Sequence, residues 1–201
     1  MNILGLTYEG SQITDRETFN LLPRQLQEVL SQKNGFIGLN GGIHIRGCVH
    51  QPEWHSLYMY WKGSEAFHAV YEAVDEQDIP FGQDCYGEQL ILRKDQVFIL
   101  RTETGEMEPL SSSLQEFWGN LEKNPITYLG LEAFEGLLES EFNLRPGELI
   151  NVYPPFVIDS PVERTAKAIS VEGRLSSLKK LYEEIKEFPD GTSITIKKNT
   201  E

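Results

Sequence analysis

Two apolar runs separated by a short polar turn constrain the fold of this chain more than any other feature. Residues 90–92 (LIL) are wholly apolar, residues 93–96 (RKDQ) can turn, and residues 97–100 (VFIL) are apolar again. A strand that is apolar on both faces must be covered on both sides, because a strand with one solvated face alternates polar and apolar residues. The sequence therefore predicts a hairpin of strands 88–92 and 97–101 near the centre of a sheet.

Further strands are predicted on either side of this hairpin. Residues 43–46 alternate, so that Ile43 and Ile45 face one way while His44 and Arg46 face the other, as in a half-buried strand. HSLYMYW at 55–61 is rich in aromatic residues and is also assigned as a strand, and 106–110 is assigned as the strand after the Thr104-Gly105 turn. TSITIKK, at 192–198, is predicted to add a short edge strand whose lysines discourage further pairing.

Helices are predicted where apolar residues recur at intervals of three and four. The first follows Pro23 and ends at Asn34-Gly35, the second runs from Ser64 to Val74, and another runs from Pro125 to about 141. Two more open at capping boxes, where a serine is followed three residues later by glutamate: Ser113 with Glu116, and Ser160 with Glu163. The buried stripe of the last helix is predicted to consist of Val171, Leu175, Leu178, Tyr182 and Ile185.

These elements predict an α+β fold with a central, mostly antiparallel sheet flanked by helices, followed by a C-terminal helix and a short strand extension. We expect a core domain over residues 1–125. Residues 126–201 are expected to form a C-terminal helical extension packed on the same domain. RPGEL and VYPPF read as loops within that extension, because proline removes a backbone donor.

The charge is unevenly distributed along the chain. The net charge of −13 arises from 31 acids and 18 bases, and residues 65–122 hold thirteen acids and three bases, a net charge of −10. Phosphate backbones repel such a chain, so general nucleic-acid binding is not expected. Concentrated negative charge favours a basic protein partner, although a solvated acidic face also serves solubility.

Five short motifs follow one another between residues 84 and 117. They are Asp84, Tyr86-Gly87-Glu88, the V-x-x-L of 97–100, Glu103-Thr104-Gly105, and the Leu-x-x-Phe of Leu114 and Phe117. This ordered series resembles the core of the SUKH superfamily, which includes fungal regulators of cell-wall assembly and glucan synthesis and many bacterial proteins. The similarity covers roughly residues 20–122, and residues from PGELINVYPPF to PDGTSITI resemble a C-terminal extension of some bacterial members.

The resemblance implies a mixed central sheet flanked by helices, with Asp84, Gly87, Thr104 and Gly105 as structural motif residues. Many bacterial members are immunity proteins that bind and block secreted toxin domains, and the family has no recognised catalytic residues. We therefore expect a non-enzymatic immunity protein without a cofactor, whose partner is a basic toxin domain. The acidic residues expected to contact that partner are Asp75, Glu76, Asp78, Glu88, Glu103, Glu106 and Glu108.

Other functions stay open at this point. A housekeeping regulator or scaffold of the fungal type is the first alternative. A metal-binding or enzymatic protein is the second, because His44, Cys48, His50 and His55 lie close together, although their spacing does not match that of structural zinc sites.

Two smaller chemical possibilities arise near residue 85. Cys85 is a conceivable nucleophile but has no histidine in its motif, so a buried, unreactive thiol is the alternative. Asp84 and Glu88 are a conceivable acid–base pair. For Asp84 the preferred interpretation is that its carboxylate accepts backbone donors in the turn before the strand.

The first fifteen residues contain neither a basic segment nor a long apolar one, so they do not resemble a signal peptide. No stretch of the sequence approaches the roughly 20 apolar residues that a membrane-spanning helix requires. Cys48 and Cys85, the two cysteines, do not form a disulfide framework. We therefore expect a cytoplasmic protein with no membrane partner, while the oligomeric state stays open.

Overall fold

Seven strands form one antiparallel sheet in the part of the chain that the structure, a computed structural model, describes: residues 4–139, 142–189 and 191–192. The strands lie in the sheet in the same order as in the chain, so each pairs with the next. Their bounds are β1 Tyr8–Glu9, β2 Phe36–Gly38, β3 Ile43–Ile45, β4 Ile79–Asp84, β5 Gln89–Arg93, β6 Gln96–Leu100 and β7 Met107–Ser111. The predicted α+β fold with a central antiparallel sheet is confirmed.

The hairpin of β5 and β6 lies inside this sheet and is covered on both faces. Leu90 pairs with Ile99 and Leu92 with Val97. The side chains of Leu90, Leu92 and Val97 belong to one apolar cluster, whereas Ile91 belongs to a second cluster on the opposite face. The prediction made from the two apolar runs is therefore confirmed.

Helices cover the two faces of the sheet. Their bounds are α1 Arg16–Leu21, α2 Arg24–Gln32, α3 Leu57–Trp61, α4 Leu114–Lys123, α5 Pro125–Leu129, α6 Glu132–Glu139 and α7 Val171–Ile185. On the first face, α2 contributes Leu26 and Leu30, and α4 contributes Phe117. On the second face, α7 buries Val171, Leu175, Leu178 and Tyr182, as its sequence predicted, and leaves Ile185 partly exposed.

Strand β3 is buried on both faces, and the expectation of a half-buried strand is wrong. Ile43 and Ile45 are fully buried on one side, but His44 and Arg46 are also buried on the other. Polar residues alternating with apolar ones usually indicate solvent, but here His44 packs against Trp54 and His55. Arg46 packs against Tyr60 of α3 and against Phe67.

The segment 55–61 is a helix rather than the predicted strand. Residues Leu57, Tyr60 and Trp61 are buried, at the i, i+3, i+4 spacing of one helix face, and the Ser56 side chain caps the N-terminus at Met59 N–H. Aromatic residues favour strands only weakly, so packing of this face overrides propensity.

The predicted helix at 64–74 is also wrong. Only Phe67–Ala69 forms a short 3-10 helix, followed by turns such as the one closed from Val74 N–H to the Tyr71 carbonyl. The three residues Phe67, Tyr71 and Val74 are nevertheless buried. A chain of tight turns places side chains at the same intervals as a helix, so the periodicity does not distinguish the two.

The single helix predicted after Pro125 is two helices, α5 and α6. Gly130 ends α5 in the left-handed conformation, with φ of 68°. Leu131 and Phe134 are fully buried, as predicted, and Leu138 packs partly buried against the same cluster.

A second hairpin replaces the start of the long helix predicted from Ser160. Strands β8 (Glu148–Tyr153) and β9 (Thr165–Ser170) pair residue for residue. Helix α7 begins only after β9, where the Ser170 side chain accepts the Gly173 N–H. The capping box at Ser160 and Glu163 is a local pattern, and long-range pairing of two β-branched segments prevails over it. The edge strand predicted at 192–198 lies, apart from Thr192, outside the described residues.

Candidate functional site

The Asp84 carboxylate organises the turn between β4 and β5. Its Oδ1 accepts the backbone N–H groups of Tyr86, Gly87 and Glu88 at 2.8, 2.9 and 2.9 Å. Asp84 is buried, so water does not substitute for it as an acceptor. The prediction that Asp84 accepts backbone donors before the strand is confirmed.

Gly87 and Gly105 allow helix α7 to lie directly on two turns. Both have positive φ, 96° and 76°, which disfavours any residue with a side chain. A Cβ at Gly87 would stand 2.8 Å from Leu178 Cδ1, and one at Gly105 would stand 2.3 Å from the Tyr182 ring. The neighbouring Thr104 is exposed, and its hydroxyl lies 3.4 Å from the carboxylate of Glu106.

Glu103 is a buried structural carboxylate and not an exposed contact residue. Its Oε1 lies 3.5 Å from the guanidinium of Arg174 in α7, and its Oε2 accepts the Val157 N–H at 2.8 Å. Arg174 in turn donates to the Tyr86 carbonyl at 3.0 Å. Glu103 thus holds α7 and the loop that contains Val157 against the turn at 103–105.

Asp78 is also buried, and both of its carboxylate oxygens accept hydrogen bonds from within the chain. Arg93 binds it through two donors, with Nε to Oδ1 at 2.8 Å and Nη2 to Oδ2 at 2.5 Å. Because a partner could reach neither carboxylate without breaking these contacts, we remove Asp78 and Glu103 from the expected contact set.

Glu88 is half-buried and accepts the Thr102 N–H at 2.7 Å. Burial raises the pKa of Glu88 above its usual range, and the nearby negative charge of Asp84 raises it further. Burial also raises the pKa of Asp84, against the effect of its three backbone donors. The pKa values of both carboxyl groups are therefore raised. Their first role is to accept the backbone N–H groups of two turns.

We expect Glu88→Gln to stabilise the protein at pH 8 by about 1 kcal/mol, since partial exposure limits the effect. Because the pKa of Glu88 is raised in the folded protein, its contribution to the free energy of unfolding is complete below about pH 4.3, the ordinary pKa of glutamate. This contribution is lost as the pH rises through the pKa of Glu88 in the folded protein. Glutamine does not ionise and keeps an oxygen for Thr102. Urea unfolding at several pH values tests this, and a difference between variant and wild type that does not grow with pH contradicts it.

The four remaining acids of the predicted set are exposed but divide between two ends of the sheet. Asp75 and Glu76 precede β4, whose first residue pairs at the Leu92 end of β5. Glu106 and Glu108 lie at the opposite end, beside Arg101, which pairs with Glu108 at 2.9 Å. Four residues of strand, about 13 Å, separate the two ends. The predicted acids therefore do not form one patch.

A groove of about 580 Å³ opens beside the turn at 103–105. Three segments line it: Thr104 and Glu106 at the turn, the loop at 157–159, and a group of residues at and after the end of α7, namely Ile185, Lys186, Phe188, Pro189, Gly191 and Thr192. Val157 and Phe188, at its surface, are 37% and 52% exposed. The volume lies within the range of ligand-binding clefts.

Two of the lining residues, Glu106 and Asp159, are exposed carboxylates that form no ion pair within the described part of the chain. The lining cation, Lys186, forms ion pairs with two other acids: its Nζ lies 3.2 Å from a carboxylate oxygen of Glu183 and 3.6 Å from one of Glu72. The uncompensated charge at the groove is therefore negative, and apolar side chains lie beside it.

Sequence reasoning found Glu106 but missed the rest of this groove. The pattern of the sequence gives no role to residues 157–159, which directly follow VYPPF, or to Phe188 after α7. These residues have no periodic pattern that would place them in a core. Their meeting with the 103–105 turn depends on Glu103 and Arg174, which are 71 residues apart in the chain.

The structure brings His44 and His55 together in a buried polar network, away from the groove. His44 Nε2 lies 2.8 Å from His55 Nδ1, His55 Nε2 lies 3.0 Å from the Asn34 carbonyl, and His44 Nδ1 lies 3.4 Å from Gln83 Nε2. One set of tautomers satisfies the chain: His55 donates to Asn34, His44 donates to His55, and Gln83 donates to His44. All four ring nitrogens are thus engaged by protein groups.

Three glycines enclose the His55 ring. A Cβ at Gly10, Gly35 or Gly47 would stand 2.5, 2.5 or 2.7 Å from a ring atom of His55. In the described residues, no group of three or more His, Cys, Asp or Glu side chains is placed to hold a metal ion. His50 is exposed and Cys48 is buried, so the structure does not unite the four residues of the metal hypothesis.

We expect acidification from pH 6.5 to 4 to remove about 3 kcal/mol of stability through His55. Burial, aided by the charge of Arg46, lowers the pKa of His55 to about 4, against the Asn34 hydrogen bond. The unfolded chain takes up a proton near pH 6.5 and the folded chain does not, so stability falls with pH across this window.

Urea unfolding of wild type and His55→Asn at each pH isolates this loss, because the raised pKa values of Glu88 and Asp84 change stability in the opposite direction over the same window. The stability difference between the two proteins is expected to shrink on acidification, and exposed His50→Asn is the control that keeps the wild-type profile. A difference that does not change with pH contradicts the prediction.

Neither cysteine has the environment of a nucleophile. Both are buried and unpaired. Burial raises the pKa of the Cys48 thiol to about 12 and that of the Cys85 thiol well above its usual value, and Asp84 raises the latter further. The thiolate, which is the reactive form, is therefore disfavoured at neutral pH.

The chain matches no protein-family model, and no curated protein matches its sequence significantly. No helix in the described ranges is long and apolar enough to cross a bilayer.

Proposed function

We propose that this chain is a cytoplasmic, non-enzymatic binding protein of the SUKH type that neutralises a basic toxin domain by covering its surface. The observation that supports this most is the groove, where exposed Val157 and Phe188 adjoin the unpaired carboxylates of Glu106 and Asp159. The resemblance of the motif series from Asp84 to Phe117 to SUKH proteins supports the same function.

This combination suits tight protein recognition. Buried aromatic anchors supply most of the binding energy of protein interfaces, whereas charges at the rim steer the encounter and exclude wrong partners. The groove's walls are held from below by the buried contacts of Glu103 with Arg174 and Val157. A surface fixed in this way loses little conformational entropy on binding.

The charge of the chain supports a basic partner. Toxins that act on nucleic acids need positive surfaces, because they must attract phosphate. A net charge of −13, concentrated in residues 65–122, attracts such a surface over several ångströms and repels the nucleic acid itself.

Co-expression with the product of the adjacent gene tests this function. We expect that product alone to arrest growth, and its co-expression with this chain to restore growth and yield a stable one-to-one complex. Arrest that persists, or a neighbouring product that is not toxic, contradicts the proposal. Recovery of housekeeping proteins alone favours the regulator or scaffold function.

Charge-reversal variants locate the contact surface in the same assay. The double variant Glu106→Lys and Asp159→Lys is expected to weaken the complex at least tenfold, about 1.4 kcal/mol, mainly by loss of electrostatic complementarity. The double variant Asp75→Lys and Glu76→Lys is the matched control, since both residues are exposed acids at the other end of the sheet and the net charge changes by the same amount. Equal weakening by the two double variants indicates that only total charge matters.

A further inference from the structure

We infer that the groove receives an extended segment of the partner in which a lysine or arginine has an apolar neighbour. This inference rests on the proposed function and specifies which part of the partner enters the chain. Three properties of the groove carry it: its charge, its apolar lining and its size.

The charge and the lining together select the side chains. The uncompensated carboxylates at the groove are those of Glu106 and Asp159, because the ammonium of Lys186 is already shared by Glu72 and Glu183. A cationic side chain from a partner forms ion pairs with these carboxylates without displacing an internal contact. Val157, Ile158, Ile185 and Phe188 line the same space and lose exposure to water when an apolar side chain lies next to the cation.

The size of the groove limits how much of the partner enters it. An extended segment, which advances about 3.3 Å per residue, places two or three side chains within about 580 Å³.

The walls do not need to move to admit such a segment. The turn at 103–105 is pinned to α7, since Gly105 lies against the Tyr182 ring. The loop is pinned to the turn by the hydrogen bond from Val157 N–H to Glu103, and it is braced by Arg164, which donates to the carbonyls of Phe156 and Ile158 at 3.3 and 3.0 Å. Two of the three lining segments, the turn and the loop, are therefore held in place in the free protein.

Titration of the isotope-labelled full chain with short peptides, followed by NMR, tests this inference without the toxin. The probe is acetyl-Gly-Ile-Arg-Ile-Gly-amide, and its matched controls replace arginine by glutamate or both isoleucines by glycine. We expect the probe to shift the amide signals of Glu106, Val157, Ile158, Asp159 and Phe188 with a Kd of about 1 mM, roughly 4 kcal/mol. The glutamate peptide is expected to leave these signals in place, and the glycine peptide to bind about tenfold more weakly.

Protein variants complete the design. Glu106→Lys with Asp159→Lys is expected to abolish the shifts, whereas Glu76→Lys leaves them intact. Shifts spread over acidic residues elsewhere, or equal shifts with the glutamate peptide, overturn the inference. The chain's own residues 193–201, SITIKKNTE, have similar chemistry. Binding that appears only after truncation at Thr192 therefore assigns the groove to this tail and also overturns the inference.

The peptide and growth experiments fail independently. Peptide binding without growth rescue rejects the toxin-neutralising function but keeps the groove's chemistry. The other outcome is that the chain restores growth and forms the complex but does not bind the peptide, and that the variant with Glu106→Lys and Asp159→Lys is still active. In that case the function stands, and its interface lies elsewhere on the chain.

Discussion

Replacing Arg46 with alanine is expected to destabilise the protein by about 3–5 kcal/mol, a large share of the stability of an ordinary domain. Arg46 is fully buried, and none of the described residues gives it a carboxylate partner. Its guanidinium donates to the carbonyls of Pro80 and Gly82 and to the side-chain oxygens of Gln83 and Gln89, at 2.6 to 3.2 Å.

The cost arises from the groups that Arg46 leaves behind. The Gln89 oxygen would be buried without its donor, and the Gln83 oxygen would keep only the 3.4 Å contact from Gln89 Nε2. An unsatisfied buried group costs about 1–3 kcal/mol. The ring of Tyr60, which lies 4.2 Å from the guanidinium carbon, would face a cavity. Burial lowers the pKa of Arg46 only to about 10, so the guanidinium is charged at neutral pH and its contacts are charge-assisted.

Urea unfolding followed by tryptophan fluorescence measures this loss. Arg24→Ala is the control, because the Arg24 side chain is 89% exposed and pairs only with Glu28, and we expect its effect to stay within about 0.5 kcal/mol. Arg46→Lys is expected to retain part of the stability, since one ammonium cannot span four acceptors. A loss below about 1 kcal/mol in Arg46→Ala would show that the network is dispensable.

Asp84→Ala is expected to cost about 3–5 kcal/mol, because it deprives three backbone donors of one acceptor. Of the three N–H groups, that of Gly87 keeps a longer contact to the residue 84 carbonyl at 3.3 Å, whereas those of Tyr86 and Glu88 lose the acceptor that the structure gives them. The substitution is also expected to weaken the packing of α7, because Leu178 packs on Gly87 only while Gly87 keeps its conformation.

Asp84→Asn is the matched comparison and is expected to cost only about 1 kcal/mol, because the amide keeps an oxygen in the same place. Thermal and urea unfolding of the two variants measure the difference. If alanine and asparagine destabilise equally, the three hydrogen bonds are not the reason for this residue, and the account of the turn fails.

The resolved network also explains residues that looked like a metal site in the sequence. His44, Arg46 and His55 belong to one chain of hydrogen bonds that fills the second face of the sheet. The glycines at 10, 35 and 47 make room for the His55 ring. Histidine clusters have the same sequence signature whether they bind an ion or each other, and only the three-dimensional arrangement separates the two.

The sequence by itself determined the elements whose signals are local. The apolar runs at 90–92 and 97–100 fixed a doubly covered hairpin, the Ser113 cap fixed the start of α4, and the Asp84 turn followed from its neighbours. Each depends on residues within a few positions, so propensity, capping and turn chemistry agree.

Only the tertiary structure decided which polar residues are buried and which carboxylates meet. Arg174 makes Glu103 structural, Arg93 makes Asp78 structural, and β8 turns the segment after Thr165 into a strand. The groove likewise exists because α7 returns to the 103–105 turn. Such contacts join residues distant in the chain, and no local pattern records them, because their free energy appears only when the whole fold forms.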